Sequence, residues 1–537
     1  MQSLTDKVDA LFAEWDKPHM PGCAIAIIKD GAIIYKRGYG MADLEHNVPI
    51  SSTSVFDIGS MSKQFTAMSV LLLAHVGKLA LDDDIRTYLP EFPQYDRPIT
   101  IRHLIHHTSG IRDYLTLMAL AGLPFEHDYP EERLLSMIKR QKQLNFAPGE
   151  DFLYSNSGYF LLSEIIRAAA GTSLRAFADE HIFQPLGMQH THFHDDWTMI
   201  VKHRATGYSP HHDGDYRIDM SLLDVVGDGA VLTTVEDLYL WDQNFYANRL
   251  GGAGQALIEQ MLTCGTLRSG EQLHYAFGLF VDTYNGLRTI HHGGAWAGYR
   301  AEILRFPDQA FTVICLANAG NIAPSKRARQ IADLYLANAV SVRAPEREPG
   351  EADDYALSPS EMEDKVGFYF SAAAHNLWEI SLQNGTLMLD NGFFTAPLVP
   401  LSSTHFRATE TPIAIDLRFA KAGQEEPWRM QIHVEGAQRP DEMHRLHGVP
   451  ITPEQLAAYV GDYYSDELDV TYTITCQDGK LVLRHPNTAE LPLLPTVTNL
   501  FKGDYMTFQF IASDQRSISA FALSAGRTRG IRFVKQR

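Results

Sequence analysis

Apolar positions along this chain follow two different spacings, and the change from one to the other divides it. Up to about residue 340, helical and strand-like runs are interleaved. Met1 to Trp15 mixes apolar residues with acids at helical spacing, which predicts an amphipathic helix. Ala24 to Ile28 and Ala32 to Tyr39 read as a hairpin, and further strands flank His292. Phe65 to Val76 is an almost continuous apolar run, the pattern of a buried helix. The chain then becomes polar and proline-broken through Arg343 to Asp354, a segment that cannot continue a packed element.

Beyond that segment alternating strand patterns dominate, and they repeat. Leu357 to Met362 with Val366 to Ser371 matches Ile451 to Leu456 with Val460 to Ser465, and Asn384-Gly385 matches Asp478-Gly479 in the same register. Asn-Gly and Asp-Gly between apolar runs predict hairpin turns, because both residues tolerate positive φ. Each copy is expected to be a short helix followed by an antiparallel meander that closes into a small, lipocalin-like barrel, since closure removes exposed strand edges. The expected division is a catalytic region over 1–340, a linker over 341–355, and barrels over 356–449 and 450–537.

Composition narrows the function classes. A chain of 537 residues, 45% hydrophobic and 21% charged, has the profile of a soluble multidomain protein. Its formal net charge of −19 and the lack of any basic run exclude nucleic acid as an expected partner. The longest apolar stretches, Ala67 to Val76 and Cys23 to Ile28, are too short to cross a bilayer, so no membrane partner is expected. The N-terminus lacks the apolar core and cleavage site of a signal peptide, which predicts a cytoplasmic protein, or a periplasmic one if a leader has been removed. Cys23, Cys264, Cys315 and Cys476 show no paired spacing and are expected to be buried thiols without a metal or redox role. No cofactor is expected.

Ser60-Met61-Ser62-Lys63 carries the candidate chemistry. It follows the strand-like Val55 to Gly59 and opens the apolar helix, placing a hydroxyl and an amine on one face, one turn apart. Such a pair is a nucleophile and its base if the amine is desolvated or lies near positive charge. Ser136-Met137-Ile138-Lys139 has the same spacing, but it sits in the charged helical stretch Glu131 to Lys142, where a surface lysine is expected. Two companions single out the first copy: Tyr154-Ser155-Asn156, after the turn at Pro148-Gly149, and His292-Gly293-Gly294, before the strand Ala301 to Phe306. Tyr246-Ala247-Asn248 and His291 are decoys for these elements, a helix tail and the opposite face of a strand. His190, His192 and His194 with Asp195 and Asp196 have the spacing of one strand face and admit a zinc reading, against that of a plain surface strand. His211 and His212 are assigned to a solvated loop.

Ser-x-x-Lys, Tyr-x-Asn and His-x-Gly, in that order, resemble the signature of class C β-lactamase-like, penicillin-binding-protein-like serine hydrolases. This family includes DD-carboxypeptidases, D-aminopeptidases and esterases. Pro21–Gly31, Leu104–Gly110, Pro185–Met188, Gly227–Leu238 and Tyr275–Gly278 also look like the family's segments. The resemblance implies an α+β fold in which an antiparallel sheet is flanked by helices and carries a helical insertion, followed by the two barrels as in three-domain D-aminopeptidases. It implies that Ser60 forms an acyl-enzyme, with Lys63 and Tyr154 sharing proton transfer and the N–H groups of Ser60 and Ala295 forming the oxyanion hole.

In the same reading Asn156, Gly294 and Arg300 contact substrate, Asn156 also orienting Lys63. Arg300 is equally read as a surface salt-bridge partner. His292 replaces a permanently charged lysine with a group titrating near neutrality, which weakens the hold on a carboxylate. The expected function is a serine hydrolase of small amides, peptides or esters, of the D-aminopeptidase or carboxylesterase type. Weak β-lactamase or DD-carboxypeptidase activity, a zinc hydrolase and a non-catalytic binding protein are the alternatives. The expected partners are a small-molecule or peptide substrate and further copies of the chain, as a homo-dimer or higher homo-oligomer. Asp466, Glu467 and Asp469 of the second barrel read either as a contact for a substrate amine or as a solvated turn.

Overall fold

The computed structural model of the chain describes residues 3–339, 355–411, 415–421, 423, 427–434, 439–448, 451–487, 489–513 and 517–536. The linker expected over 341–355 lies outside these residues apart from Tyr355. Two compact units are present: Met1–Ile111, Phe125–Lys139 and Phe146–Arg343 form the first, and Arg112–Pro124, Arg140–Asn145 and Ala344–Arg537 the second.

The first unit is α+β. Helix α1 (Leu4–Phe12) starts at a capping box between Ser3 and Asp6 and buries Val8 and Phe12. Strands β1 (Cys23–Lys29) and β2 (Ala32–Tyr39) form the expected hairpin. They join β3 (Phe280–Tyr284), β4 (Leu287–Trp296), β5 (Tyr299–Phe306) and β6 (Phe311–Ala317) in an antiparallel sheet of order β3-β4-β5-β6-β1-β2. Ile25, Ile27, Val313 and Cys315 face a core shared with Val8 and Phe12 and with Ala328 and Ile331 of the C-terminal helix Pro324–Leu336. Helix α2 (Lys63–His75) is buried from Lys63 through Leu73, so its apolar run serves a core all round and not one amphipathic face. Among the described residues no helix is long and apolar enough to cross a membrane.

The second unit holds two closed eight-stranded antiparallel barrels, from Gly367–Ser371 to Asp441–Arg445 and from Gly461–Ser465 to Thr528–Lys535. Asn384-Gly385 and Asp478-Gly479 take positive φ at the matching hairpins, as the repeat predicts. Of the acids of the second barrel, Asp466 and Asp469 lie exposed in a turn, as the solvated-turn expectation has it, and Glu467 departs from it. Glu467 is buried and receives Arg112 Nη1 at 2.6 Å and the Lys142 N–H at 2.8 Å. Asp466 pairs with Lys142, and Asp469 lies 3.6 Å from Arg140. Arg112 is only 1% exposed, and a guanidinium so buried needs a counter-charge, which Glu467 supplies. The thiols also differ from expectation: all four are free, but Cys476 is exposed, since its strand alternates in and out.

Candidate active site

Ser60 lies in a 3-10 turn, Gly59–Ser62, that runs directly into α2. Three residues per turn bring positions i and i+3 into line, so Lys63 stands over Ser60, its Nζ 3.0 Å from the Ser60 Oγ. Ser60 is partly open to solvent, whereas Lys63 is fully buried. The Lys63 amine also donates to Asn156 Oδ1 at 2.9 Å and to the Asp228 carbonyl at 2.5 Å. Those two oxygens can only accept, so two N–H bonds of the amine are committed to them. The remaining tetrahedral direction of the amine is toward Ser60 Oγ. The 227–231 loop that supplies Asp228 is tied to α2 by Thr66 Oγ1 donating to the Gly227 carbonyl (2.7 Å) and by Ser62 Oγ accepting from the Val231 N–H (3.0 Å).

Tyr154 and Asn156 sit where an extended segment turns into α3 (Asn156–Ala170), with Ser155 as its N-cap and Asn156 as its first residue. The Tyr154 ring centroid is 4.9 Å from Lys63 Nζ and that of Tyr159 5.5 Å, so the amine is faced by two aromatic rings. The structure thus brings Ser60, Lys63, Tyr154 and Asn156 together.

His292 reaches the same place from β4. Strand β3 pairs with β4 only as far as His291, and beyond that point the free edge of β4 meets the Ser60 turn. Gly294 permits this approach: a Cβ there would fall 1.8 Å from the Ile58 carbonyl oxygen. Across the same gap Gly59, at φ +48°, would place a Cβ 2.9 Å from the Ala295 nitrogen. Gly294 and Ala295 therefore line the Ser60 turn, and for Gly294 close packing accounts for the residue.

His292 is buried, and its charge state differs from expectation. Burial, reinforced by the charge of Lys63, pushes its pKa down to about 3, so it is neutral near pH 7 and does not titrate there. Its Nδ1 donates to the Gly293 carbonyl at 2.6 Å, which leaves Nε2 to accept from the Tyr275 hydroxyl at 3.2 Å. His291 points to the opposite face, between Asp282 (3.7 Å) and Glu302 (3.5 Å), and although burial opposes its charge these carboxylates lift its pKa to about 9. Arg300 joins neither the site nor a surface ion pair. It lies opposite Ala295 in the neighbouring strand, and its Nη1 donates to the carbonyls of Ala297 (2.7 Å) and Tyr299 (2.6 Å).

The decoys resolve locally. Lys139 pairs with Glu91 on the surface, and Asn248 Nδ2 braces a turn through the carbonyls of Leu250 and Gly254. The histidine stretch is not a plain surface strand: His194 is buried, its Nε2 lies 3.2 Å from Arg204 Nη1, and burial pushes both His192 and His194 down to about pKa 4. Among the described residues the grouping of three metal-capable side chains is elsewhere, at Asp43, Glu45 and His46. Sequence reasoning assigned no role to Asp57, Asp228 or Tyr275. Asp57 accepts the Gly59 N–H at 2.8 Å beneath the nucleophile turn, and burial raises its pKa to about 6. All three lie beside or within family-like segments, but nothing in their spacing distinguishes them.

A serine and a lysine on one helical turn, an aromatic hydroxyl and an amide where an extended segment enters a second helix, and a glycine-rich strand closing over both define a serine hydrolase of the β-lactamase-like type. The chain belongs to the Beta-lactamase family, whose profile matches residues 8–337. A penicillin-binding protein of Bacillus subtilis (strain 168) is 29% identical over 75% of this chain and 92% of its own length. The D-aminopeptidase of Brucella anthropi is 27% identical over 86% of this chain and 82% of its own. In fold the chain is similar to the octameric penicillin-binding protein homologue from Pyrococcus abyssi, with a TM-score of 0.58 at 23% identity, covering 82% of this chain and 99% of that one.

Proposed function

We propose that this protein hydrolyses small esters and aminoacyl amides that carry no carboxylate beside the scissile bond, through an acyl-enzyme on Ser60. The observation that carries the reading is the Lys63 amine, whose two acceptors leave its third direction to the Ser60 hydroxyl. Ser60 Oγ adds to the acyl carbon as its proton passes to Lys63 Nζ, and the N–H groups of Ser60 and Ala295 hold the oxyanion. Tyr154, beside the amine, relays the proton to the leaving group. Water then attacks the acyl carbon and releases Ser60.

The restriction on substrate follows from charge. Among the described site residues, Lys63 is committed to the nucleophile, His292 is neutral, and Arg300 is turned onto its own strand. Among these residues a substrate carboxylate would find no cation that is not already committed to other groups, which disfavours penicillins and DD-peptides. Amides stand beside esters because the D-aminopeptidase similarity runs through most of the chain.

A fluorophosphonate probe is expected to label Ser60 once and to label the Ser60→Ala protein not at all. Neutral chromogenic esters and D- or L-aminoacyl anilides should turn over at least about 100-fold faster, in kcat/KM, than matched substrates bearing a carboxylate on the leaving group, beside the scissile bond. Equal turnover of the two sets would overturn the restriction.

We infer a homo-oligomer, on the likeness to an octameric homologue, and light scattering that returns a monomer mass would refute it. We place the protein in the cytoplasm, in keeping with four unbridged thiols, and recovery from a periplasmic fraction would overturn this. The division at 340, 355 and 449 stays our working scheme, with the strips 112–124 and 140–145 assigned to the barrel-bearing unit.

A further inference from the structure

His106 and His107 follow the short helix Ile101–Ile105 and are both buried, at 3% and 1% exposure. His107 has φ +56°, a left-handed conformation that an L side chain adopts only where its surroundings hold it, and such residues gather at functional sites. The surroundings here are parts of the catalytic apparatus. His107 Nδ1 accepts the Ser155 N–H at 3.1 Å, and its carbonyl accepts the Leu153 N–H at 3.0 Å. Its ring lies 4.1 Å from that of Tyr154, tilted by 33°. The bend carrying Tyr154 and Asn156 is thus gripped at the residues on either side of Tyr154 and against its ring.

His106 reaches the opposite way. Its Nδ1 donates to the Tyr275 carbonyl at 3.2 Å, and the Tyr275 hydroxyl meets His292 Nε2 at 3.2 Å. The two consecutive imidazoles thus hydrogen-bond to two different segments, while the His107 ring also lies 4.6 Å from that of Tyr275, so both bear on that residue.

We propose that the His106-His107 pair is a positioning device, His107 for Tyr154 and Asn156 and His106 for Tyr275 and, through it, His292. Both imidazoles act through the residues that they hold, as positioning groups. The proposal rests on the reading in which Ser60, Lys63 and Tyr154 perform the chemistry.

Substitution at His107 separates its two contributions. Glycine accepts positive φ but has no acceptor, whereas asparagine accepts positive φ and offers Oδ1 to the Ser155 N–H. With a neutral ester as substrate, His107→Gly is expected to lose about 10- to 100-fold in kcat with KM within about threefold, because Tyr154 and Asn156 drift from their places. His107→Asn should recover most of that loss. Wild-type kcat in a folded His107→Gly protein, or His107→Asn falling as far as His107→Gly, overturns the proposal. If the glycine protein does not fold, His107→Asn decides alone: kcat within about threefold of wild type supports the device, and a loss beyond about tenfold refutes it. Ser60→Ala is run alongside. Turnover surviving in that variant would instead refute the catalytic reading.

Discussion

Lys63 is the residue on which this site turns, because its surroundings decide in which direction its amine can act. The serine and lysine were legible in the sequence: their geometry is local, set by one helical turn and by the apolar run that buries it. Asn156 was legible only as a motif position, and its acceptor bond to Lys63 spans 93 residues of chain. Removing that acceptor should free the amine to rotate. Asn156→Ala is therefore expected to lower kcat by about 10²- to 10³-fold with little change in KM, a cost in the range found for misplaced proton-transfer groups. If Asn156 served mainly to bind a substrate amide, KM would rise at nearly unchanged kcat. Steady-state kinetics on an ester that lacks an amide separates the two. Histidine protonation was not legible. His292 and His291 are neighbours in sequence, yet burial and Lys63 push one to about pKa 3 while two carboxylates lift the other to about 9.

Those opposite shifts arise in one element, β4, which has the Ser60 turn on one side and an ion cluster on the other. Strand alternation foretold that the two imidazoles would part, but the carboxylates facing His291 come from β3 and β5 and the charge facing His292 from α2, outside any local pattern. Asp282 faces His291 from β3, Glu302 faces it from β5, and Arg329 on the C-terminal helix opposes its charge. A histidine whose folded pKa is raised from 6.5 to about 9 contributes stability that is fully present below about pH 6.5 and is lost as pH rises through 9. The Tm gap between wild type and His291→Gln should therefore be largest near pH 6 and close by about pH 10. A gap that widened with pH would show that His291 is held neutral. His292 acts in the opposite sense: its depressed pKa makes the fold more labile as pH falls from about 6.5 toward 3, where the unfolded chain takes up the proton first.

At the scale of the whole molecule, the sequence repeat gave away two barrels but not what they hold. The repeat is written in turn residues and alternating strands, which act locally. Nothing local marks 112–124 and 140–145 as parts of the barrel-bearing unit. Glu467 is one of the ties that hold them there, beside Tyr472, whose hydroxyl donates to the Leu120 carbonyl, and Asn487, whose Nδ2 donates to the Gly122 carbonyl. Both Glu467 and Arg112 are almost wholly buried, and the pair is completed by Gln141 Oε1 accepting from Arg112 at 2.9 Å and by the Arg529 carbonyl accepting from Arg112 Nε at 3.1 Å. Breaking a buried pair by removing one partner leaves an uncompensated charge and costs about 3–5 kcal/mol. Glu467→Ala is accordingly expected to lower the unfolding free energy of this unit by that amount, read from its denaturant midpoint, while Asp466→Ala, whose partner Lys142 is exposed, should leave the midpoint nearly unchanged. A chain ending at Gly448 would remove Glu467 and Arg529 together and leave Arg112 without them. Such a truncation should yield a protein cleaved rapidly by protease within 112–124, not a compact enzyme with altered specificity. Full resistance of those residues to protease in the truncated chain would mean that the second barrel is dispensable to them, and that the buried pair is a consequence of the packing and not its cause.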